Sequence, residues 1–361
     1  MPPALSLYLD VVRFTAAFGV LLSHMALAPF TDHALWWALG QYGDAAVAVF
    51  FVLSGYVIAF VTAERETDGW RYGVGRLSRL MSVALPALVI TALCDALGAS
   101  LRPDFYARPD VGGPAGIGSG YLASLLFINE WQVFGFGAMF PGSNSPWWSL
   151  SFEATYYLVG GLFLYFRRNW WFLLALLILM LAGRTVIAMF PLWLLGFHLF
   201  SRPPSWPFSA RVTTLLFWAS LLALIWLPLA DRYLPSSKLW FYMPWGRGPY
   251  NRDLVSDYLV AASFGLHLLA ARRLLQEGAA DTWQRWQGGI RWLGSLTFPL
   301  YLCHYPLLCL VAALSPFDRA SLWHVALLVA VTLSVVAGVA PWSERLKLGL
   351  RSGLQRLKPT G

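Results

Sequence analysis

Runs of about twenty apolar residues recur along the whole chain, and very few folds accept that pattern. Such a run is long enough to cross a bilayer as a helix. Inside lipid the backbone must satisfy its own hydrogen bonds, so the runs are expected to be helical. Eleven segments qualify as candidates, near 9–29, 44–63, 80–99, 121–136, 148–166, 169–183, 186–200, 212–230, 254–271, 292–314 and 322–342. Composition points the same way. Charged residues make up 12% of the chain, against about 25% in a soluble domain. The 19 tryptophans suit aromatic belts at the membrane surfaces. The expected fold is an all-α, polytopic transmembrane bundle in contact with the lipid bilayer.

The fourth segment is the weakest, because Asn129 and Glu130 interrupt it and Gly135, Gly137, Pro141 and Gly142 follow. If it is re-entrant or interfacial, about ten helices span and both termini are cytoplasmic. Seventeen of the 26 Lys and Arg then fall on the inner side, among them Arg167, Arg168, Arg202, Arg272 and Arg273. That is the positive-inside distribution of a bacterial cytoplasmic (inner) membrane protein. It also accounts for the formal net charge of +8, so no nucleic-acid partner is expected. Residues 1–361 read as one membrane-embedded domain with a short basic tail at 343–361. The N-terminus shows no cleavage-site pattern, so the first segment is expected to be retained. Cys94, Cys303 and Cys309 lie in apolar segments without the spacing of a disulfide framework or a metal site.

The first segment, Leu5 to Phe30, holds Asp10, Arg13 and His24. Charge in a bilayer costs a few kcal/mol or more, so such groups face a protein interior or a water-filled cavity. Eleven residues separate Arg13 from His24, roughly 16 Å along a helix, and bring them back to nearly the same face. This pair is the first place to look for chemistry.

Four local sequences follow in order: LDVVRFTAAFGVLLSH at 9–24, GDAAVAVFFVLSGYVIAF at 43–60, WWSLSFEATYYL at 147–158 and SLTFPLYLCHYPLL at 295–308. Together they resemble the acyltransferase-3 family of polytopic membrane proteins, over nearly the whole chain. Ala46 stands where the family commonly has glycine, and Ser82 where a proline is common. The resemblance implies transfer of an acyl group, commonly acetyl, to hydroxyls of surface polysaccharides, lipopolysaccharide or other glycosides. It implies acyl-CoA, in the first instance acetyl-CoA, as co-substrate rather than as a permanently bound cofactor. The acceptor would be a glycan or glycoside, free or carried on a lipid. The family's occasional fused hydrolase-like domain is expected to be absent, since the chain stops at Gly361.

Residue chemistry gives each candidate a role. Acyl transfer from a thioester to an alcohol needs a base for the hydroxyl and donors for the developing oxyanion. His24 fits as general base, or as a transient acyl carrier. Arg13 fits as an anchor for donor phosphates, or as a structural partner of Asp10 three residues earlier. Glu153, early in its span, would orient His24, bind acceptor hydroxyls or tie helices together, and Tyr156 and Tyr157 suit either use. Asn144 or Ser145 is expected to cap that helix, with Pro146, Trp147 and Trp148 near the outer interface.

Arg76 and Arg79 share a helical face and fit nucleotide phosphates or topology-setting charge. Ser54 and Gly55 form a small-residue site suited to close helix packing. Tyr301 and His304 share a face of a helix that Pro299 and Pro306 should bend, and His304 lines the cavity of His24 or sits satisfied in the core. His198, His267 and His324 carry no motif and read as structural. A transporter or flippase is the alternative function class; its two similar halves are not visible in the sequence.

Overall fold

The apolar runs fold as helices, and among the described residues every regular element is helical. The structure, a computed structural model, describes residues 1–35, 39–108, 111, 117–134, 139–166, 169–201, 205–230, 233, 254–276 and 285–358. In chain order the helices are α1 (Pro3–Met25), a single turn α2 (Ala28–Thr31), α3 (Tyr42–Glu64), α4 (Gly69–Leu101), a single turn α5 (Pro103–Tyr106) and α6 (Ile117–Leu125). There follow α7 (Trp148–Tyr165), α8 (Asn169–Ala182), α9 (Arg184–Ser201) and α10 (Ala210–Ala230). The last three are α11 (Leu254–Gln276), α12 (Gln287–Leu314) and α13 (Leu322–Arg356). Gly135, Gly137, Arg167, Arg168 and Arg202 lie outside the described residues.

Among the described residues eight helices, α1, α3, α4 and α9 to α13, are long and apolar enough to cross a bilayer. The protein is thus an all-α, multi-pass membrane protein. The other two expected spans form α7 and α8, of 18 and 14 residues. At 18 residues α7 equals α9 in length, whereas α8 gives about 21 Å of helix, short of a hydrocarbon core of about 30 Å. The fourth apolar segment forms only the nine-residue α6 and a 3-10 turn at Gln132–Phe134. At about 1.5 Å per residue, α6 is far too short to cross. Opposite in character, α13 runs for 35 residues, so most of the basic tail continues it as helix.

The chain divides into two compact units, which are described separately. The first comprises Met1–Val20, Gln41–Glu64 and Ala188–Thr297. Here α11 packs against α10 and α3. His267 pins three helices: its Nε2 meets the Tyr8 hydroxyl of α1, and its Nδ1 lies 3.2 Å from the Phe217 carbonyl of α10 and 3.1 Å from the Ser220 hydroxyl. In the same unit α3 and α9 approach closely at two glycines. A Cβ added at Gly55 would strike the Trp193 carbonyl, and one at Gly196 would strike the carbonyl of Val52. Only hydrogen at both positions lets the two backbones touch.

The second unit comprises Leu21–Gly40, Arg65–Ile187 and Phe298–Gly361. Its α4 packs against α13, α7 and α6, and α7 packs against α8. Asp68 caps α4 by accepting the backbone N–H of Arg71 at 2.8 Å. That bond, helped by Lys358, holds the Asp68 carboxyl below the usual carboxylate range.

Asn144 corrects an expectation. Neither Asn144 nor Ser145 caps α7 with its side chain. The Asn144 amide instead donates to Thr91 Oγ1 of α4 at 3.0 Å and to the Leu302 carbonyl of α12 at 2.8 Å. Pro306 explains that choice: it has no N–H for the carbonyl four residues back, so Leu302 needs a donor from elsewhere. Trp147 is the second correction. It is fully buried, with its indole N–H on the Ser124 carbonyl at 3.3 Å, and so anchors the core rather than an interface.

Gly55→Ala and Gly196→Ala should each destabilise the protein by about 1–3 kcal/mol through overpacking against backbone. Gly338→Ala, where an added methyl meets nothing within 4 Å, should be neutral or slightly stabilising. Thermal unfolding of the purified proteins in detergent checks the contrast, and equal midpoints for all three variants would refute it.

Candidate functional site

Within the second unit, His24 on the last turn of α1 meets His304 on α12. Nδ1 of His24 and Nε2 of His304 are 3.0 Å apart, and the ring centroids are 5.0 Å apart. His304 is 1% exposed and His24 half-buried. Nδ1 of His304 turns back on its own helix, 3.0 Å from the Leu300 carbonyl and 2.8 Å from that of Tyr301. Tyr305 sets its edge against the His24 ring at 5.3 Å, and Phe30 in turn packs edge-on against Tyr305. His324 holds the Phe30 carbonyl at 2.8 Å with Nε2 and faces Ser315 with Nδ1 at 2.7 Å. Together these contacts fix the plane of the His24 ring.

Next along α12, the Tyr301 hydroxyl accepts from Ser149 Oγ of α7 at 2.7 Å. Ser149 and Glu153 are four residues apart on α7 and so share a face. Glu153 is half-buried and accepts the Tyr157 hydroxyl. Tyr156 points elsewhere, donating to the Val186 carbonyl at 2.8 Å, and serves to hold α7 in place. Trp148 is half-buried and packs edge-on against Phe152.

Arg76 and Arg79 differ despite their shared face. Arg76 is 11% exposed and pairs at 2.7 Å with Glu66, itself 3% exposed. Its guanidinium lies 5.7 Å from the Tyr72 ring centroid and 5.5 Å from that of Tyr157. Arg79 lies over the Phe298 ring of α12 at 5.7 Å. Gly75 makes room for the Glu66 carboxylate, which a Cβ there would strike. Glu66 was not conspicuous in the sequence, because its partner stands ten residues away across the start of a helix.

In the first unit, Arg13 pairs with Asp10 at 3.5 Å. Arg291 of α12 also pairs with Asp10, and donates to Ser6 at 2.9 Å. Asp10 thus lies between two guanidinium groups, a partnership from α12 that the sequence did not signal. Ser54 is half-buried beside the close approach at Gly55. Arg13 and His24 are carried on one unbroken helix, α1.

Comparison with known proteins bears on this arrangement. The model of the acyltransferase-3 family, described as an acyltransferase domain, matches residues 6–340. The chain belongs to the acyltransferase-3 family. The acyltransferase MdmB of Streptomyces mycarofaciens is 28% identical over 174 residues, which cover 44% of this chain and 41% of that protein. The chain therefore aligns with less than two thirds of that relative's length. No solved structure matches. In this acyltransferase-3 chain the structure joins His24 with His304, Glu153 with Tyr157, and Arg76 with the Tyr157 ring. Tyr156 and Trp147 are engaged in packing.

Breaking a buried ion pair by removing one partner costs about 3–5 kcal/mol. Glu66→Ala should therefore lower the unfolding midpoint of the purified protein markedly. The double variant Glu66→Ala/Arg76→Met should be more stable than Glu66→Ala alone, because no unpaired charge remains. Denaturation of the three proteins under identical conditions provides the check.

Proposed function

We propose that the protein is a membrane O-acyltransferase that moves an acyl group, acetyl from acetyl-CoA in the first instance, to a hydroxyl of a surface glycan, lipid-linked saccharide or glycoside. The observation that carries the proposal is the half-buried His24, held by His304 and Tyr305 within a family-matched chain. A ring held in this way loses little freedom when it meets a substrate hydroxyl.

In the proposed step, His24 takes the proton of the acceptor hydroxyl while that oxygen bonds to the thioester carbonyl carbon. The tetrahedral intermediate collapses with cleavage of the carbon–sulfur bond, leaving the ester. The proton passes from His24 to the departing CoA sulfur. Arg13 and Arg79 are proposed to bind donor phosphates, since guanidinium pairs well with phosphate oxygens. Arg76 is proposed for the same task, but its pairing with Glu66 gives it a structural one as well. Glu153 is proposed to bind acceptor hydroxyls or to balance the charge that forms on His24.

Purified protein should bind acetyl-CoA and release thiol with n-octyl glucoside as acceptor. His24→Ala should retain donor binding within about threefold and lose transfer by at least the 10²-fold typical of a general base. Arg79→Ala should raise donor KM about tenfold with kcat nearly unchanged, the pattern of lost uniform binding. A protein without affinity for acyl-CoA that moved a glycolipid across vesicles would decide for a transporter.

The proposed orientation places both termini in the cytoplasm of a bacterial inner membrane. Reporters fused at Asn169 and Gln276 should report cytoplasm, and one at Asp318 the periplasm. The long stretch around Ser237 lies outside the described residues. A periplasmic signal at Asn169 would invert the assignment.

A further inference from the structure

We infer that His304 is a positioning residue that sets the tautomer of His24, leaving Nε2 as the nitrogen able to take a proton. The consequence for catalysis rests on the acyl-transfer reading, whereas the tautomer follows from contacts within the second unit alone. Nδ1 of His304 lies 3.0 Å from one backbone carbonyl oxygen and 2.8 Å from another, those of Leu300 and Tyr301. A carbonyl oxygen only accepts, so Nδ1 of His304 carries the proton. A neutral imidazole has one N–H and one lone pair, and Nε2 of His304 therefore presents the lone pair. Its partner 3.0 Å away is Nδ1 of His24, which must donate and so holds that ring's proton. The lone pair of His24 is then on Nε2.

The arrangement does with a neutral ring what a carboxylate does in a serine hydrolase triad. There the orienting group accepts the Nδ1–H of the catalytic histidine, and a change that reverses the tautomer lowers kcat by about 10⁴. A neutral acceptor has a different electrostatic effect: it fixes the tautomer and the ring plane and is not itself an anion. His304 touches His24 and not the reacting atoms. Its own helix supplies the two carbonyls, so its tautomer is set by backbone that cannot titrate. Tyr305 and Phe30 complete the clamp on the ring.

The test uses full-length protein in nanodiscs, labelled with ¹⁵N-histidine, with His24 assigned by its disappearance in His24→Gln. Wild type should show His24 protonated at Nδ1 and unprotonated at Nε2. His304→Phe keeps the ring volume but removes the acceptor; it should lower kcat about 10²–10⁴-fold, leave both KM values within about twofold, and shift the His24 proton toward Nε2. His304→Gln offers an amide oxygen as acceptor and should restore kcat to within about tenfold of wild type. Acetyl-CoA and n-octyl glucoside serve as substrates. A wild-type His24 protonated at Nε2, or a folded His304→Phe protein with wild-type kcat, overturns the inference. If wild type turns over no acyl-CoA, the acyl-transfer reading fails, and the ¹⁵N spectrum still decides the tautomer. Should His304→Phe fail to fold, the wild-type spectrum and His304→Gln carry the decision.

Discussion

A carbonyl without a partner is the constraint around which the second unit is arranged. Pro306 removes the N–H that would have bonded the Leu302 carbonyl within α12, and a lipid-embedded helix has little water to offer instead. The fully buried Asn144 supplies the donor and bonds Thr91 of α4 with the same amide. One side chain thus ties the start of the α7 region to both α4 and α12. From that tie follow the seating of Trp147 on the Ser124 carbonyl, the meeting of Ser149 with Tyr301, and the face that α7 turns toward α12. The residue next to Pro306 is Tyr305, and the one before that is His304. The helix defect and the aromatic clamp on His24 are therefore neighbours in sequence as well as in space.

Charge is handled in one way at the ion pairs and in another at His24. Asp10 is flanked by Arg13 and Arg291, and Glu66 is closed into a pair with Arg76 under two tyrosine rings. Each puts opposite charges together where isolated ones would be costly. His24 meets the His304 imidazole and the edge of Tyr305, which Phe30 packs against in turn. On the inferred tautomer His24 presents the Nε2 lone pair, whereas a locked ion pair presents none.

Much of this was legible in the sequence wherever periodicity or length carries the information. The apolar runs mark the helices, the pairing of Asp10 with Arg13 follows from their spacing of three, and Tyr301 with His304 follows from theirs. The small pair Ser54-Gly55 marks a packing seam, and α3 and α9 meet there. Interactions that depend on a distant deficiency were not legible. Asn144 reads as a cap until the missing donor of Pro306 is considered, and Trp147 reads as interfacial until α6 is seen to cover it. Glu66 carries no local pattern, since its partner lies beyond a helix start. Hydropathy also overstates α8: the run is apolar enough to notice, and it ends as a helix shorter than a bilayer core. The meeting of His24 with His304 depends on chain segments 280 residues apart, which no local spacing encodes.

The contact of Gly55 with the Trp193 carbonyl and of Gly196 with the Val52 carbonyl has a mechanical consequence. Where side chains interdigitate, two helices can creep past one another by exchanging rotamers. Here main chain rests on main chain, and the two glycines at the contact have no rotamer to exchange. Axial sliding would drive a carbonyl into the next residue's Cβ, while rocking about the contact point displaces little. The seam therefore resists sliding of α3 along α9 more than it resists rocking about the contact.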